Sequence, residues 1–341
     1  MTDIKELLYE LTSAPGVSGE ESLTAQTAEK LIAPFCDEIK RGALGSSIAV
    51  LSPGKEKSVM LVAHTDKIGL IVTGIDKDTG MLKTAKVGGT DLRTLAASRV
   101  KVYGKKTLDG VVISVPPHLA GKGDEKRAVP VEETAVDCGL PYDEIKDIVS
   151  PGDRIEIRLP FRSLAGDRVT SPYIDDAAGC AALISAAERL YGKELPCTVY
   201  AVFSTCEEVG KQGAQTAAYT LSPDEAIAVD VGFAVQKGVS EEQGANAGSG
   251  ARIGFAPVLD RKLSAKLRET AEKNGIPFTV EVMGRTTGTD ADVVSAVKCG
   301  VAAGVVSIPL KYMHTPVETV SISDIEAAAK LLAAYILGKG E

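Results

Sequence analysis

The rhythm of apolar segments changes twice along this chain, and those changes limit the folds open to it. SVMLVAH is an unbroken apolar run ending at His64, the pattern of a strand buried on both faces of an α/β sheet. From about Lys67 to Leu164 the texture becomes short alternating runs broken by turn chemistry: Asp76-Lys-Asp-Thr-Gly80, Asp109-Gly110 and Pro151-Gly152-Asp153. Asp109-Gly110, between VKVYGKKTL and VVISV, predicts a hairpin turn. Several such signals within ~100 residues predict a small barrel or sandwich.

After Asp175 the alternation of long elements returns. Helix AAGCAALISAAERLY precedes strand CTVYAVFS, helix GAQTAAYTL and strand EAIAVDVG. Helix SAKLRETAEKNG, strand FTVEVM, helix TDADVVSAVKCG and strand AAGVVSI follow. This order predicts a mostly parallel sheet with helices on both faces. Capping boxes are read at Ser18-x-x-Glu21, opening a helix to about Phe35, and at Ser323-Asp-Ile-Glu326, opening the last helix. Residues 1–66 and 165–341 are expected to form one α/β domain, with 67–164 inserted as a β domain.

Charge narrows the partners. A net charge of -8, from 46 acidic against 38 basic residues, gives no nucleic-acid footprint. Cationic clusters are as short as Lys105-Lys106, so an anionic membrane surface is not an expected partner either. No apolar run approaches the ~18 residues that span a bilayer. Six cysteines stand singly, without a CxxC pair, and MTDIKELLYEL reads as an amphipathic helix rather than a signal peptide. A reduced, cytoplasmic enzyme is the expectation.

In open α/β sheets, ligands gather at the carboxyl ends of the strands. His64, Glu207-Glu208 and Asp230 each end a predicted strand, His314 follows VVSIPL, and Asp175 precedes a helix. Each residue alone has an ordinary reading: a structural histidine, an N-cap for Asp175, a solvated loop for Glu207-Glu208. Together those readings would have to coincide at six positions in a chain with only three histidines. Two imidazoles, three carboxylates and a spare glutamate are what a two-metal hydrolase requires. Adjacent Glu207 and Glu208 in extended chain would point oppositely, so one can bind metal while the other faces water. That divergence argues against a glycosidase, whose paired carboxyls face each other across a sugar at roughly 5–10 Å.

AHTDKIG, DDAAGC, EEVGKQGA, VDVGFA, GTDAD and IPLKYMHTPVET resemble the TET-type (glutamyl aminopeptidase, FrvX-like) metallo-aminopeptidases. The resemblance runs from SAPGVSGEE to the final helix. It implies a zinc-peptidase-like α/β fold: a mostly parallel mixed sheet sandwiched by helices, with an inserted small β-barrel used in dimerisation. It implies that His64 and Asp230 hold one metal, Glu208 and His314 the other, with Asp175 bridging. Glu207 would be the general base toward the attacking water, and Asp66 would hydrogen-bond His64 and fix its tautomer. The implied cofactors are two divalent ions per subunit, zinc or cobalt, with manganese a further option. The implied partners are short peptide substrates and further subunits, as dimers and a dodecamer.

The chain departs from the family pattern at Ala177, where an Arg is usual, and at Thr65 and Lys67, where Met and Glu are usual. Lys67 is expected at the surface in a salt bridge. His118 is read as structural or at a subunit contact, and Gly88-Gly89 as a turn. The Gly288–Asp292 segment either lines the substrate pocket or has Asp290 as a helix cap. The expected activity is removal of N-terminal residues from short peptides. A related two-metal deacylase or carboxypeptidase, an endoglucanase and a non-catalytic member are the alternatives.

Overall fold

The computed structural model describes residues 2–116, 118–119, 121 and 128–340. Two helices come first, α1 (Ile4–Ser13) and α2 (Ser22–Ile32). Asp3 caps α1 by accepting from the Lys5 amide, and Leu7, Leu8 and Leu11 form its buried stripe. The capping box expected at Ser18–Glu21 does not form. Ser18 Oγ donates to Asp66 Oδ2 at 2.7 Å, and Glu21 Oε1 accepts from the Gly19 and Cys206 amides. Tertiary partners outbid the local cap, so the helix starts at Ser22.

Strands β1 (Glu38–Arg41), β2 (Ser47–Leu51) and β3 (Ser58–His64) follow. The chain then leaves for a closed barrel of β4 (Gly69–Ile75), β5 (Leu82–Val87), β6 (Arg99–Tyr103), β7 (Thr107–Val112), β8 (Ala135–Asp137) and β9 (Arg154–Ile157). The short α3 (Tyr142–Ile145) precedes β9. Leu70, Leu82, Val100, Val102, Val136 and Ile155 fill the barrel with other aliphatics. Asp109-Gly110 is not the hairpin turn: it lies inside β7, with Asp109 opposite Lys101 and Gly110 opposite Val100. A Cβ at Gly110 would lie 2.9 Å from Val136 Cγ1, so that glycine serves close packing within the wall.

The chain returns through β10 (Arg162–Ser163), β11 (Arg168–Ser171) and α4 (Ile174–Leu190). Next come β12 (Thr198–Ser204), α5 (Gln212–Leu221), β13 (Glu225–Phe233) and β14 (Ala251–Phe255). The last elements are α6 (Arg261–Lys273), β15 (Phe278–Val282), α7 (Ala291–Val294), β16 (Ala302–Lys311), β17 (Glu318–Ser321) and α8 (Ile322–Leu337). The helix expected over TDADVVSAVKCG shrinks to α7, because Asp292 caps the Thr287 and Gly288 amides and Lys298 and Gly300 turn left-handed. The last helix starts one turn-edge earlier than expected. Ser321 stands at its N-cap with its hydroxyl on Asp167, and Ser323 is already helical.

β12, β3, β13 and β16 form a parallel centre, flanked by antiparallel strands in an 11-stranded sheet. Alternate residues of β3 serve opposite cores: Val59, Leu61 and Ala63 pack with α1, α4 and α8, while Met60 and Val62 pack with α5 and α7. Helices on both faces follow from the continuous apolar runs, since each strand must bury both sides. No helix among the described residues is long and apolar enough to cross a membrane. The six cysteines are free thiols.

Candidate active site

Parallel pairing sets the site. β3 and β12 run in register to their ends, with His64 opposite Ser204. Beyond Ser204 the chain turns sharply through left-handed Cys206 into a single 3-10 turn, Glu207–Val209. β13 carries Asp230 opposite Ser307 of β16. After β16 the chain loops back to His314, held at φ 62. Asp175 and Asp176 precede the helical part of α4 with non-helical backbone and a cis bond between them. Asp176 caps that helix by accepting from the Gly179 amide at 2.8 Å, which leaves Asp175 free to face the site.

Asp175 is at the centre. Its Oδ1 lies 3.1 Å from His64 Nε2 and its Oδ2 lies 3.3 Å from His314 Nε2. Glu208 Oε1 is 3.3 Å from the same His314 nitrogen. The ligand atoms of His64, Asp175 and Asp230 lie within 4.8 Å of one another, and so do those of Asp175, Glu208 and His314. The five residues expected as ligands therefore form two groups that share Asp175.

Glu207 and Glu208 do diverge, but through the tight turn rather than through extended chain. Glu208 faces His314, and the buried Glu207 carboxylate pairs with Lys211 Nζ at 2.9 Å. Asp66 is fully buried and does more than face the imidazole. Its carboxylate stands 3.5 Å from His64 Nδ1, while its own backbone carbonyl is nearer at 3.1 Å. The carboxylate accepts from the Glu207 amide (2.8 Å), the Glu208 amide (3.1 Å) and Ser18 Oγ. It thus ties the end of β3 to the turn after β12.

The electrostatics favour cations here. Burial raises the Asp230 carboxyl well above its usual range, and the charges of Asp176, Asp175 and Glu207 add to this. Burial works against Asp175 as an anion too, but the two imidazoles hold it well below the carboxylate range. Burial likewise opposes charge on His314, yet Asp175 and Glu208 hold it up to about 11. Seven carboxylates in this region are almost fully buried: Asp66, Asp175, Asp176, Asp230, Glu207, Asp290 and Glu318. Two histidines and the Lys211 ammonium are too few cations to neutralise them. Mixed imidazole and carboxylate donors, with one carboxylate shared, fit a pair of first-row divalent ions.

Several side chains stand otherwise than expected. Lys67 is buried, not at the surface: its ammonium donates to the carbonyls of Leu11 (3.2 Å), Thr12 (3.0 Å) and Ala14 and lies over the Tyr173 ring. The carbonyls left open at the end of α1 draw it inward. Asp290 does not cap α7. Its Oδ2 takes the Ser204 hydroxyl at 2.5 Å, and burial, together with the Glu207 charge, pushes the carboxyl up to about 7. Ala177 packs within the larger core, and His118 lies in an exposed turn.

Two features had no role in the reading of the sequence. Glu318, in the HTPVET segment, accepts from the His314 amide at 2.7 Å and the Asp175 amide at 3.0 Å, so one carboxylate braces two candidate ligands. Its spacing from His314 was the available signal. Gly88-Gly89 is a turn, but one pressed on the site: a Cβ at Gly89 would lie 2.3 Å from His314 Nδ1.

The sequence model of the M42 glutamyl aminopeptidase family matches residues 45–331. The lysyl aminopeptidase of Pyrococcus furiosus is 36% identical over 338 residues, covering 97% of this chain and 96% of its own. Among solved structures, the aminopeptidase APDkam598 of Desulfurococcus kamchatkensis aligns with a TM-score of 0.91 at 32% identity, over 98% of this chain and 94% of that one. The TET1 peptidase of Pyrococcus horikoshii, which can assemble into a tetrahedron or a large octahedral shell, aligns at 0.88 with 33% identity, over 98% and 99% of the two chains.

Proposed function

The chain belongs to the M42 glutamyl aminopeptidase family, and on that premise we propose a metal-dependent aminopeptidase that removes N-terminal residues from short peptides. The observation that carries this is the pair of ligand groups sharing Asp175, with Glu207 beside them and outside both. His64, Asp230 and Asp175 would hold one divalent ion, and Glu208, His314 and Asp175 the other. Zinc or cobalt suits these donors, with manganese a further option. When bound, such a pair of ions polarises the scissile carbonyl and acidifies a water.

The remaining work belongs to the chain. Glu207 accepts the proton of the attacking water and returns it to the departing amine. Asp66 keeps the Glu207–Glu208 turn and His64 in fixed relation. The surplus of buried carboxylates attracts a free α-ammonium, which favours unblocked N-termini. Residues 1–66 and 165–341 would make up the catalytic domain, and 67–164 the inserted domain through which subunits pair. The assembly of the TET1 peptidase into a tetrahedron or an octahedral shell supports a homo-oligomer. Free thiols and a modest negative charge suit a cytoplasmic setting.

The test is hydrolysis of unblocked and N-acetylated aminoacyl-nitroanilides by chelator-stripped protein, before and after zinc or cobalt is added. Metal-restored cleavage of the unblocked set alone is expected. Cleavage of the acetylated set would move the enzyme to the deacylases. Glu207→Gln should lower turnover by roughly 10²–10⁴-fold with metal content kept, and loss of metal in that variant would exchange the roles of Glu207 and Glu208.

A further inference from the structure

Lys211 in the EEVGKQGA segment takes no part in the chemistry above, yet its placement is specific. The Glu207 carboxylate is 8% exposed. Among the described residues its ion-pair partner is the Lys211 ammonium, 2.9 Å from Oε1, and that buried oxygen receives no well-directed hydrogen bond. Its neighbours are anchored far more heavily. Asp66 takes two amides and a hydroxyl, Glu318 takes two amides, and Asp176 takes the amides of Gly179 and His64.

The backbone brings the lysine into position. Gly210, at φ 156, and Lys211, at φ 65, reverse the chain after the 3-10 turn, and the Lys211 amide donates to Cys206 O at 2.6 Å. The Gly213 amide then donates to Thr205 O at 3.1 Å, and a Cβ on Gly213 would lie 2.3 Å from that oxygen. A non-glycine residue in the left-handed region persists only where its surroundings hold it there. Here the strained residue is the one whose side chain folds back over Glu207.

We infer that Lys211 is a positioning residue: its ammonium fixes Glu207 Oε1 and leaves Oε2 to the water. The inference rests on Glu207 being the general base. A carboxylate with a single ion-pair partner depends on it for the orientation of its oxygens, and small displacements of a reacting group cost up to about 10²-fold in rate.

The test is a double-mutant cycle with steady-state kinetics on the metal-loaded protein. Lys211→Met should lower kcat roughly 10- to 100-fold, with KM within about twofold and with metal content and thermal midpoint as in the wild type. Lys211→Arg, which keeps the cation, should recover most of the loss. In the Glu207→Gln background, Lys211→Met should cost nothing further. The inference is overturned by wild-type kcat in Lys211→Met, by an unchanged loss in the Glu207→Gln background, or by a raised KM at constant kcat. If Glu207→Gln alone stays fully active, the assignment of the base has failed, and the inference goes with it.

Discussion

Glu318 and Lys67 both show buried charge spent on backbone rather than on another side chain. Each carboxylate oxygen of Glu318 accepts one amide, from His314 and from Asp175. Glu318→Gln puts an NH₂ against one of those amides, and two donors cannot satisfy each other. Metal affinity should fall about 10–100-fold, as when other groups that orient ligands are removed, and titrating metal into stripped protein would measure it. Lys67 holds the last carbonyls of α1. Lys67→Met strands these carbonyls and should cost ~3 kcal/mol, read as a lower urea midpoint.

The same lysine sets a pH dependence. Burial pushes its ammonium down to about 8, while the unfolded chain keeps the ordinary lysine value. Between those two values the unfolded state binds more protons, so the Lys67 contribution to stability rises with pH. It falls away as pH drops through about 8. The stability gap between wild type and Lys67→Met should therefore widen from pH 8 to about 10.5. A gap that narrows would mean that the folded protein binds the Lys67 proton more tightly than the unfolded chain does, the three carbonyls outweighing burial.

At the level of elements, the turn after β5 joins the barrel to the site. Gly89 lies against the His314 ring, and Gly88, at φ 66, lies near Glu208. Gly89→Ala requires the ring or the turn to move, because its Cβ would sit 2.3 Å from Nδ1. A fall in kcat/KM of about 10²-fold is expected, with the far-ultraviolet dichroism unchanged. Wild-type kinetics would show that the turn yields freely. The Gly-Gly pair was legible as a turn from its chemistry alone. Its contact with a histidine more than two hundred positions away was not, because no local signal encodes it.

Across the whole molecule, the site joins a barrel turn, the ends of four sheet strands and the start of α4, and the buried carboxylates repel one another there. Binding that favours the folded state stabilises it by about 4 kcal/mol at a thousandfold excess over Kd. Chelation should thus lower the thermal midpoint by several degrees, and zinc or cobalt should restore it in proportion to occupancy. A midpoint indifferent to metal would mean that protons alone neutralise the cluster.

The sequence by itself determined the alternation of strands and helices, the β-rich segment between them and which polar residues are candidates for the site. Period and apolar content decide which segments bury two faces, and strand ends decide where polar side chains can emerge. Local caps and turns were less secure. Ser18 left its capping box for Asp66, Ser323 yielded the cap to Ser321, and Asp109-Gly110 became barrel wall. In each case a partner distant in sequence offered more than the local motif. Only the tertiary structure decided that Asp175 faces both histidines, that Glu318 braces the Asp175 and His314 backbones and that Lys67 lies buried. Such contacts depend on the register of β3, β12, β13 and β16, and register is set when both sheet faces are packed.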